Sequence, residues 1–430
     1  MLRSANEKPQ GHADMEHFHY LNGELYCESV SLRAIADSAG TPAYVYSKAA
    51  LLENLAAYDR AFASVPHIVC YAVKANSNLG VLATLARAGA GADIVSGGEL
   101  HRALRAGVPP QKITFAGVGK TREEMREALK AEILLFNVES ASELSALNET
   151  AQASGVRAPV ALRVNPDVDP ETHPYIATGT KTAKFGIPIA EAVRVYEEAA
   201  GMPGISVIGV HMHIGSQLTK TSPFADAVAR LAELVETLRT MGIDVRLVDV
   251  GGGLGIHYKD EAPPSPDEYA RVLLPALRRL GVVALLEPGR SIVGNAGVLL
   301  TRALYRRVST EKTFVIVDAA MNDLIRPALY GAYHEIRPVL EAGRRRPHET
   351  VDVVGPICES GDFLARDREL PSVEEDDLLA VMSSGAYGFA MASNYNARPR
   401  AAEILVDDHR YTIVRRRETY EDLVAGESLP

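Results

Sequence analysis

Cysteine is scarce in this chain of 430 residues: Cys27, Cys70 and Cys358 are the only three. Three scattered thiols exclude a disulfide framework or a zinc ribbon and fit a reducing cytoplasm. A basic excess is also missing. Lys plus Arg total 45 against 55 Asp plus Glu, a formal charge of −10, so there is no electrostatic footprint for nucleic acid or an anionic membrane surface, and a small-molecule partner is expected. No apolar run approaches a membrane span, and the opening stretch Met1 to Glu16 is polar, without the apolar centre of a signal peptide. What is present is ordinary globular composition. With 47% hydrophobic and 23% charged residues, the chain can bury a sizeable core and is long enough for more than one domain.

Periodicity then sets the architecture. Apolar, strand-like runs alternate with amphipathic helical patterns between Pro66 and Pro288, the signature of parallel β/α units. The runs are His67 to Val73, Ala92 to Val95, Lys112 to Ala116, Ile133 to Asn137, Pro159 to Asn165, Ser206 to His211, Val245 to Val250 and Val282 to Glu287. Eight strands with seven intervening helices predict a closed (β/α)8 barrel. After Gly294 come short strand patterns separated by Pro, Gly and charged turns, without regular helices, which predicts a β-rich second domain. Near the start, Phe18 to Leu21 and Glu24 to Cys27 flank Asn22-Gly23, a strong hairpin signal. This pair is expected to complete the C-terminal sheet. The expected division is therefore N-terminal strands over 1–45, a barrel over 46–293 and the β-rich domain over 294–430. The Arg344-Arg345-Arg346 patch reads as a solvated loop.

The chemistry concentrates where the strands of the barrel end. Lys74 closes an apolar strand, an expensive place for an amine unless it loses its proton and acts as a nucleophile. It could hold a carbonyl cofactor as a Schiff base; the alternative is a packed stem with its ammonium in water. Asp93 lies in the second strand, Arg163 and Asn165 close the fifth, and His211 and His213 close the sixth. Gly251-Gly252-Gly253 follows the seventh strand and Glu287-Pro288-Gly289-Arg290 the eighth, matching the phosphate site that barrels build from those two loops. Ser216 is placed to add a hydroxyl to the same phosphate. His211 and His213, two apart on a strand, also raise a barrel metallohydrolase as a rival class. The phosphate-type loops favour a phosphorylated aromatic cofactor instead, with His213 as a stacking plate and His211 as core. Glu287 beside a pyridine nitrogen would favour its protonated form and make the ring a stronger electron sink. Lys74, a phosphate cradle, a stacking histidine and Glu287 together specify pyridoxal 5′-phosphate, with no metal.

Tyr71-Ala72-Val73-Lys74-Ala75-Asn76, His213-Ile214-Gly215-Ser216, Gly251-Gly252-Gly253-Leu254-Gly255 and Glu287-Pro288-Gly289-Arg290 resemble, in identity and order, the fold-type III pyridoxal-phosphate decarboxylases. The resemblance spans roughly residues 15 to 420 and implies a homodimer whose active sites are shared between subunits. Within the group, the second-domain motifs are most similar to the diaminopimelate-specific members. That implies decarboxylation of meso-2,6-diaminopimelate to L-lysine and carbon dioxide. By this resemblance Cys358 in Cys358-Glu359-Ser360-Gly361-Asp362 is a proton donor, and Glu359 meets the substrate's distal amine. Arg326 and Tyr330 match the substrate segment, Arg290 stands at the carboxylate-binding position, and Tyr387 reaches phosphate and substrate. Thr180 to Gly186 matches the lid only in its Lys184-Phe185-Gly186 ending. Related decarboxylases of D-ornithine, D-lysine or another basic amino acid share the scaffold and stay open as alternatives, whereas a barrel-only cofactor carrier is disfavoured by the second domain.

Overall fold

The computed structural model describes residues 17–168 and 185–430. Two compact units emerge, one holding the chain up to Ala50, His257–Lys259 and Asn295–Pro430, the other Leu51–Ile256 and Asp260–Gly294. The chain opens on β1 (Phe18–Leu21) and β2 (Glu24–Cys27), turned at Asn22 and Gly23, both with positive φ, as a tight hairpin turn requires. With β3 (Val30–Ser31) they form a three-stranded sheet of their own. This corrects the expectation that the hairpin completes the C-terminal sheet. After α1 (Leu32–Ala39), it is β4 (Ala43–Ser47) that enters that sheet, antiparallel to one C-terminal strand and parallel to another. Five consecutive buried residues, Ala-Tyr-Val-Tyr-Ser, suit a strand covered on both faces.

α2 (Lys48–Phe62) leads into the barrel. Its strands and helices alternate as β5 (His67–Ala72), α3 (Leu79–Arg87), β6 (Gly91–Ile94), α4 (Gly97–Arg105), β7 (Ile113–Phe115), α5 (Arg122–Lys130), β8 (Leu135–Val138), α6 (Ala141–Ala153) and β9 (Ala158–Asn165). A two-residue strand β10 (Ile187–Pro188) then pairs with β9, followed by α7 (Ile189–Ala200), β11 (Ile205–His211), α8 (Ser222–Thr240), β12 (Leu247–Asp249), α9 (Pro266–Leu280) and β13 (Val283–Leu286). β13 pairs with β5, and β8 with β9, so the eight parallel strands close on themselves. Inside, Leu135, Ala161, Leu247 and Leu285 from four strands form one buried apolar cluster. Short polar residues start the helices. Asn78, Ser96, Thr121, Ser140 and Ser265 each accept a hydrogen bond from an amide of the first turn, with capping boxes through Glu124 and Glu268. These caps sit where strand gives way to helix and fix the geometry of the loops that carry the site.

Beyond α10 (Arg290–Val293) lie β14 (Gly297–Val308), β15 (Thr313–Val317), α11 (Arg326–Tyr330), β16 (Ile336–Pro338), α12 (Glu341–Arg344), β17 (His348–Val354), β18 (Phe363–Pro371), β19 (Leu378–Val381), β20 (Ala402–Asp407), β21 (Arg410–Arg415) and α13 (Tyr420–Val424). The region does contain helices, contrary to expectation. They are four or five residues long, too short to show a helical period in sequence. The sheet runs β18-β17-β15-β14-β4-β20-β21, with β19 also on β14 and β16 on β19. One face carries Val298, Leu300, Ala380 and Ile404, which share a core with Phe18, Leu25 and Leu32. The arginine patch is not simply a solvated loop either. Arg344 ends α12 and lies over the Tyr20 ring, while Arg346 is paired with Asp377.

Candidate active site

Lys74 lies in the 3-10 turn Val73–Ala75 directly after β5. Its Nζ stands 2.8 Å from Asp93 Oδ2, and Asp93, on the neighbouring strand β6, is fully buried. Burial pushes the Asp93 carboxyl up to about 7, reinforced by the charge of Glu287 and opposed by Lys74. Across the barrel mouth, Glu287 follows β13, Asp249 ends β12, His211 ends β11 and Asn137 sits in β8, and all four are buried. Asn137 Nδ2 donates to Asp249 Oδ2 at 3.0 Å and to Glu287 Oε1 at 3.3 Å. His211 Nε2 lies 3.5 Å from Glu287 Oε2, too long for a good hydrogen bond.

The two carboxyls divide one task. Burial alone would raise Glu287, but His211, then Lys74 and His213, hold it well below the usual carboxylate range. Asp249 goes the other way, held well above that range by burial and by Glu287 itself. Such divergence is what close buried carboxyls show: Glu287 keeps the charge and Asp249 the proton.

His213 lies two residues beyond β11. Its Nδ1 accepts the Gly252 N–H at 3.2 Å, so the proton of the neutral ring belongs on Nε2. Burial, Arg163 and Lys74 hold the ring well below the ordinary histidine range. A neutral, flat imidazole is thus pinned by its edge to the glycine loop. In that loop Gly251 and Gly253 have φ of +69° and +106°. A Cβ on Gly252 would meet the Glu287 carbonyl oxygen at 2.0 Å, and one on Gly253 the Gly215 oxygen at 2.3 Å. Only side-chain-free backbone passes here. Nearby, Arg290 Nη2 donates to Ser216 Oγ at 3.0 Å, and a Cβ on Gly289 would stand 3.1 Å from Ala72 and Ala75.

A further layer fixes these groups. Arg163 Nη1 pairs with Glu139 at 2.9 Å, Nη2 reaches the His213 carbonyl at 3.4 Å, and the guanidinium lies over Phe185. Glu139 also accepts the N–H groups of Gly117 and Gly186. Buried Lys120 donates to Glu143 at 2.7 Å and to the Asn137 carbonyl at 2.8 Å.

The sequence-predicted residues Lys74, Asp93, His213, Ser216, Gly251, Gly252, Gly253, Glu287, Gly289 and Arg290 therefore all belong to the barrel unit. His211 is buried core, as expected, and stands 3.5 Å from Glu287. The two histidines do not share a point: His211 groups with Asp249 and Glu287, their ligand-type atoms within 4.8 Å of one another, and His213 is not of that group. Arg163 was marked in the sequence at the end of its strand, but Asn137, Asp249 and Glu139 were not singled out. The signal was present for Asn137 and Asp249, each the one polar residue of its strand, Leu135–Val138 and Leu247–Asp249.

In the other unit, Arg326 begins α11 and is buried, its guanidinium over the Tyr258 ring at 4.7 Å and Nη1 2.9 Å from His334 Nε2. Tyr330 ends the same helix, half-buried. Cys358 and Glu359 are exposed, the Cys358 N–H bound to Asn396 Oδ1 at 2.8 Å. Tyr387 is held at φ 55°, a left-handed backbone unusual for an aromatic residue. The lid expectation over Thr180 to Lys184 lies outside the described residues.

The barrel site fits pyridoxal 5′-phosphate. It combines a glycine cradle that side chains would fill, an amine on a strand end and a buried, ionised carboxylate. Asp93 Oδ1 and His211 Nδ1 are buried, with no hydrogen-bond partner among the described residues. Comparisons with known proteins agree. Residues 48–294 match the family model described as the pyridoxal binding domain of pyridoxal-dependent decarboxylases. A diaminopimelate decarboxylase of Pseudomonas aeruginosa is 56% identical over 417 residues, covering 96% of this chain and 99% of that one. Among solved structures, the Helicobacter pylori diaminopimelate decarboxylase complexed with L-lysine is 42% identical with a TM-score of 0.88, covering 91% of this chain and 98% of that one. The M. jannaschii enzyme in co-complex with L-lysine is 40% identical with a TM-score of 0.92, covering 97% and 99%. This chain belongs to the diaminopimelate decarboxylase family of pyridoxal-dependent decarboxylases.

Proposed function

We propose that the chain, loaded with pyridoxal 5′-phosphate, decarboxylates meso-2,6-diaminopimelate to L-lysine and carbon dioxide. The observation that carries this reading is the pairing of Lys74 with buried Asp93 at 2.8 Å, facing an ionised Glu287 across the same barrel mouth. When bound, the cofactor supplies an aldehyde that condenses with amines and a protonated pyridine that accepts the electron pair left as carbon dioxide departs. Lys74 is the amine that holds it. Glu287 keeps a negative charge where the ring nitrogen is protonated, and Asn137 and His211 hold that carboxylate in place. His213, neutral and edge-bound to Gly252, offers a flat face to the ring. Gly251, Gly252, Gly253, Gly289, Ser216 and Arg290 form the anion cradle for the phosphate, with Tyr387 as a further phosphate and substrate contact.

Arg290, Arg326, Tyr330 and Glu359 are the substrate groups of this reading. Two guanidiniums and a carboxylate suit a ligand that keeps a distal carboxylate and ammonium. Cys358 is the proton donor to the substrate's α-carbon. Because Cys358 and Glu359 are exposed on this chain, they are assigned to the site of a second copy, making the functional species a homodimer. A cytoplasmic setting suits three free thiols. No helix among the described residues is long and apolar enough to cross a membrane.

The test is carbon dioxide release by the holoenzyme from meso-2,6-diaminopimelate beside D-ornithine, D-lysine and L-lysine, with Lys74→Ala as control. Preference for diaminopimelate and loss of both turnover and the visible cofactor band in Lys74→Ala are expected. An active Lys74→Ala variant with the band intact would refute the assignment.

A further inference from the structure

The geometry around Arg326 points to His334 as the residue that aims this guanidinium, and we infer that His334 is a positioning residue for recognition of the substrate's distal carboxylate. The inference rests on the reading above that Arg326 meets that group. His334 is fully buried between two partners of fixed character. A guanidinium can only donate, so His334 Nε2, 2.9 Å from Arg326 Nη1, must accept. A carbonyl can only accept, so Nδ1, 2.8 Å from the Met382 oxygen, must carry the hydrogen. These partners define one neutral tautomer without reference to any titration.

A neutral acceptor does something a carboxylate could not. Pairing Arg326 with Asp or Glu would fix the fork but cancel most of the charge it offers to an anionic ligand. The imidazole fixes one edge without adding a countercharge of its own. Tyr258 supplies the remaining restraint, since the guanidinium lies over its ring at 4.7 Å while the same ring meets His334 edge-on at 5.4 Å and 79°. His334 is itself anchored, its carbonyl accepting from Arg368 Nη1 at 2.7 Å and the next residue's carbonyl accepting from the Met382 N–H at 2.8 Å. The guanidinium is held in plane by Tyr258 and in rotation by His334, which is the preorganisation that bidentate carboxylate binding rewards.

Removing one carboxylate from diaminopimelate leaves lysine, which keeps the other; removing both leaves cadaverine. This pair isolates the distal carboxylate as a binding probe. His334→Asn keeps a donor near the Nδ1 position and loses the Nε2 acceptor, whereas His334→Gln reaches the Nε2 position. In the holoenzyme, His334→Asn is expected to raise KM for meso-2,6-diaminopimelate roughly tenfold with kcat within about twofold, the scale of one hydrogen bond to a charged group. By calorimetry L-lysine should weaken by a similar factor and cadaverine should not. His334→Gln should recover most of both losses. Unchanged KM and L-lysine affinity in His334→Asn, equal losses for lysine and cadaverine, or a fall in kcat alone would overturn the inference while leaving the proposed function standing. A wild-type holoenzyme that releases no carbon dioxide from diaminopimelate would overturn both. Should His334→Asn not fold, His334→Gln decides: near wild-type L-lysine affinity supports the inference, and a tenfold loss overturns it.

Discussion

One amide serves two buried carboxyls: Asn137 Nδ2 lies 3.0 Å from Asp249 and 3.3 Å from Glu287. Between them a single negative charge is held deep in the protein, on Glu287, with the neighbouring proton on Asp249. The Asn137 donor adds to His211, Lys74 and His213, which hold the Glu287 carboxyl low.

Asn137→Ala removes the shared donor and leaves buried carboxyl oxygens unsatisfied. The apoprotein should lose about 1–3 kcal/mol in urea unfolding, and turnover should fall because Glu287 is no longer fixed. A variant with wild-type stability and turnover would show that the amide is dispensable.

Gly252→Ala forces a methyl to 2.0 Å from the Glu287 carbonyl oxygen, a backbone atom that cannot swing aside. Overpacking of this kind costs about 1–3 kcal/mol, and it displaces both the cradle and the carboxylate. Cofactor titration followed by absorbance should show affinity at least roughly tenfold weaker, in line with that cost. Gly98→Ala is the control: near the start of α4 a Cβ meets nothing closer than 3.8 Å, so cofactor affinity should not move.

Asp323, fully enclosed in the other unit, provides a pH test. Burial pushes its carboxyl up to about 7, against the hydrogen bond from Ala320 N–H at 3.0 Å. Unfolded, the same group ionises near the ordinary value of about 4. As pH rises between these values the unfolded chain gives up its proton first, so this residue's contribution to stability falls across that window and levels off above it. The full loss is on the order of 4 kcal/mol. Asp323→Asn keeps an acceptor for Ala320 and cannot ionise. Its melting temperature relative to wild type should therefore rise from pH 5 to pH 8; a constant difference would refute the burial argument.

Much of this was legible in the chain. Every barrel strand announced itself as an apolar run bounded by turn residues, and Lys74, Glu287 and the Gly251 loop stood out because their residue types are costly or permissive at strand ends. Asn137 and Asp249 escaped because a single polar residue in a strand says only that it has a partner, not which one. Their partners come from strands far away in sequence. The hairpin at Asn22-Gly23 was visible for the opposite reason, since a two-residue turn is local, but its destination was not. His334 carries no sequence signal at all. Its meaning depends on a carbonyl 48 residues away, at Met382.

β4 holds a seat between β14 and β20, pairing Val45 with both Val298 and Ile404. A strand made among the first fifty residues thus waits for partners synthesised some 250 and 350 residues later, with the whole barrel emerging in between. Until then its Ala-Tyr-Val-Tyr-Ser edge is an unsatisfied β template on a growing chain. Sheet completion is for that reason a late, long-range event, and the period before it is when this protein is most exposed to pairing with the wrong strand.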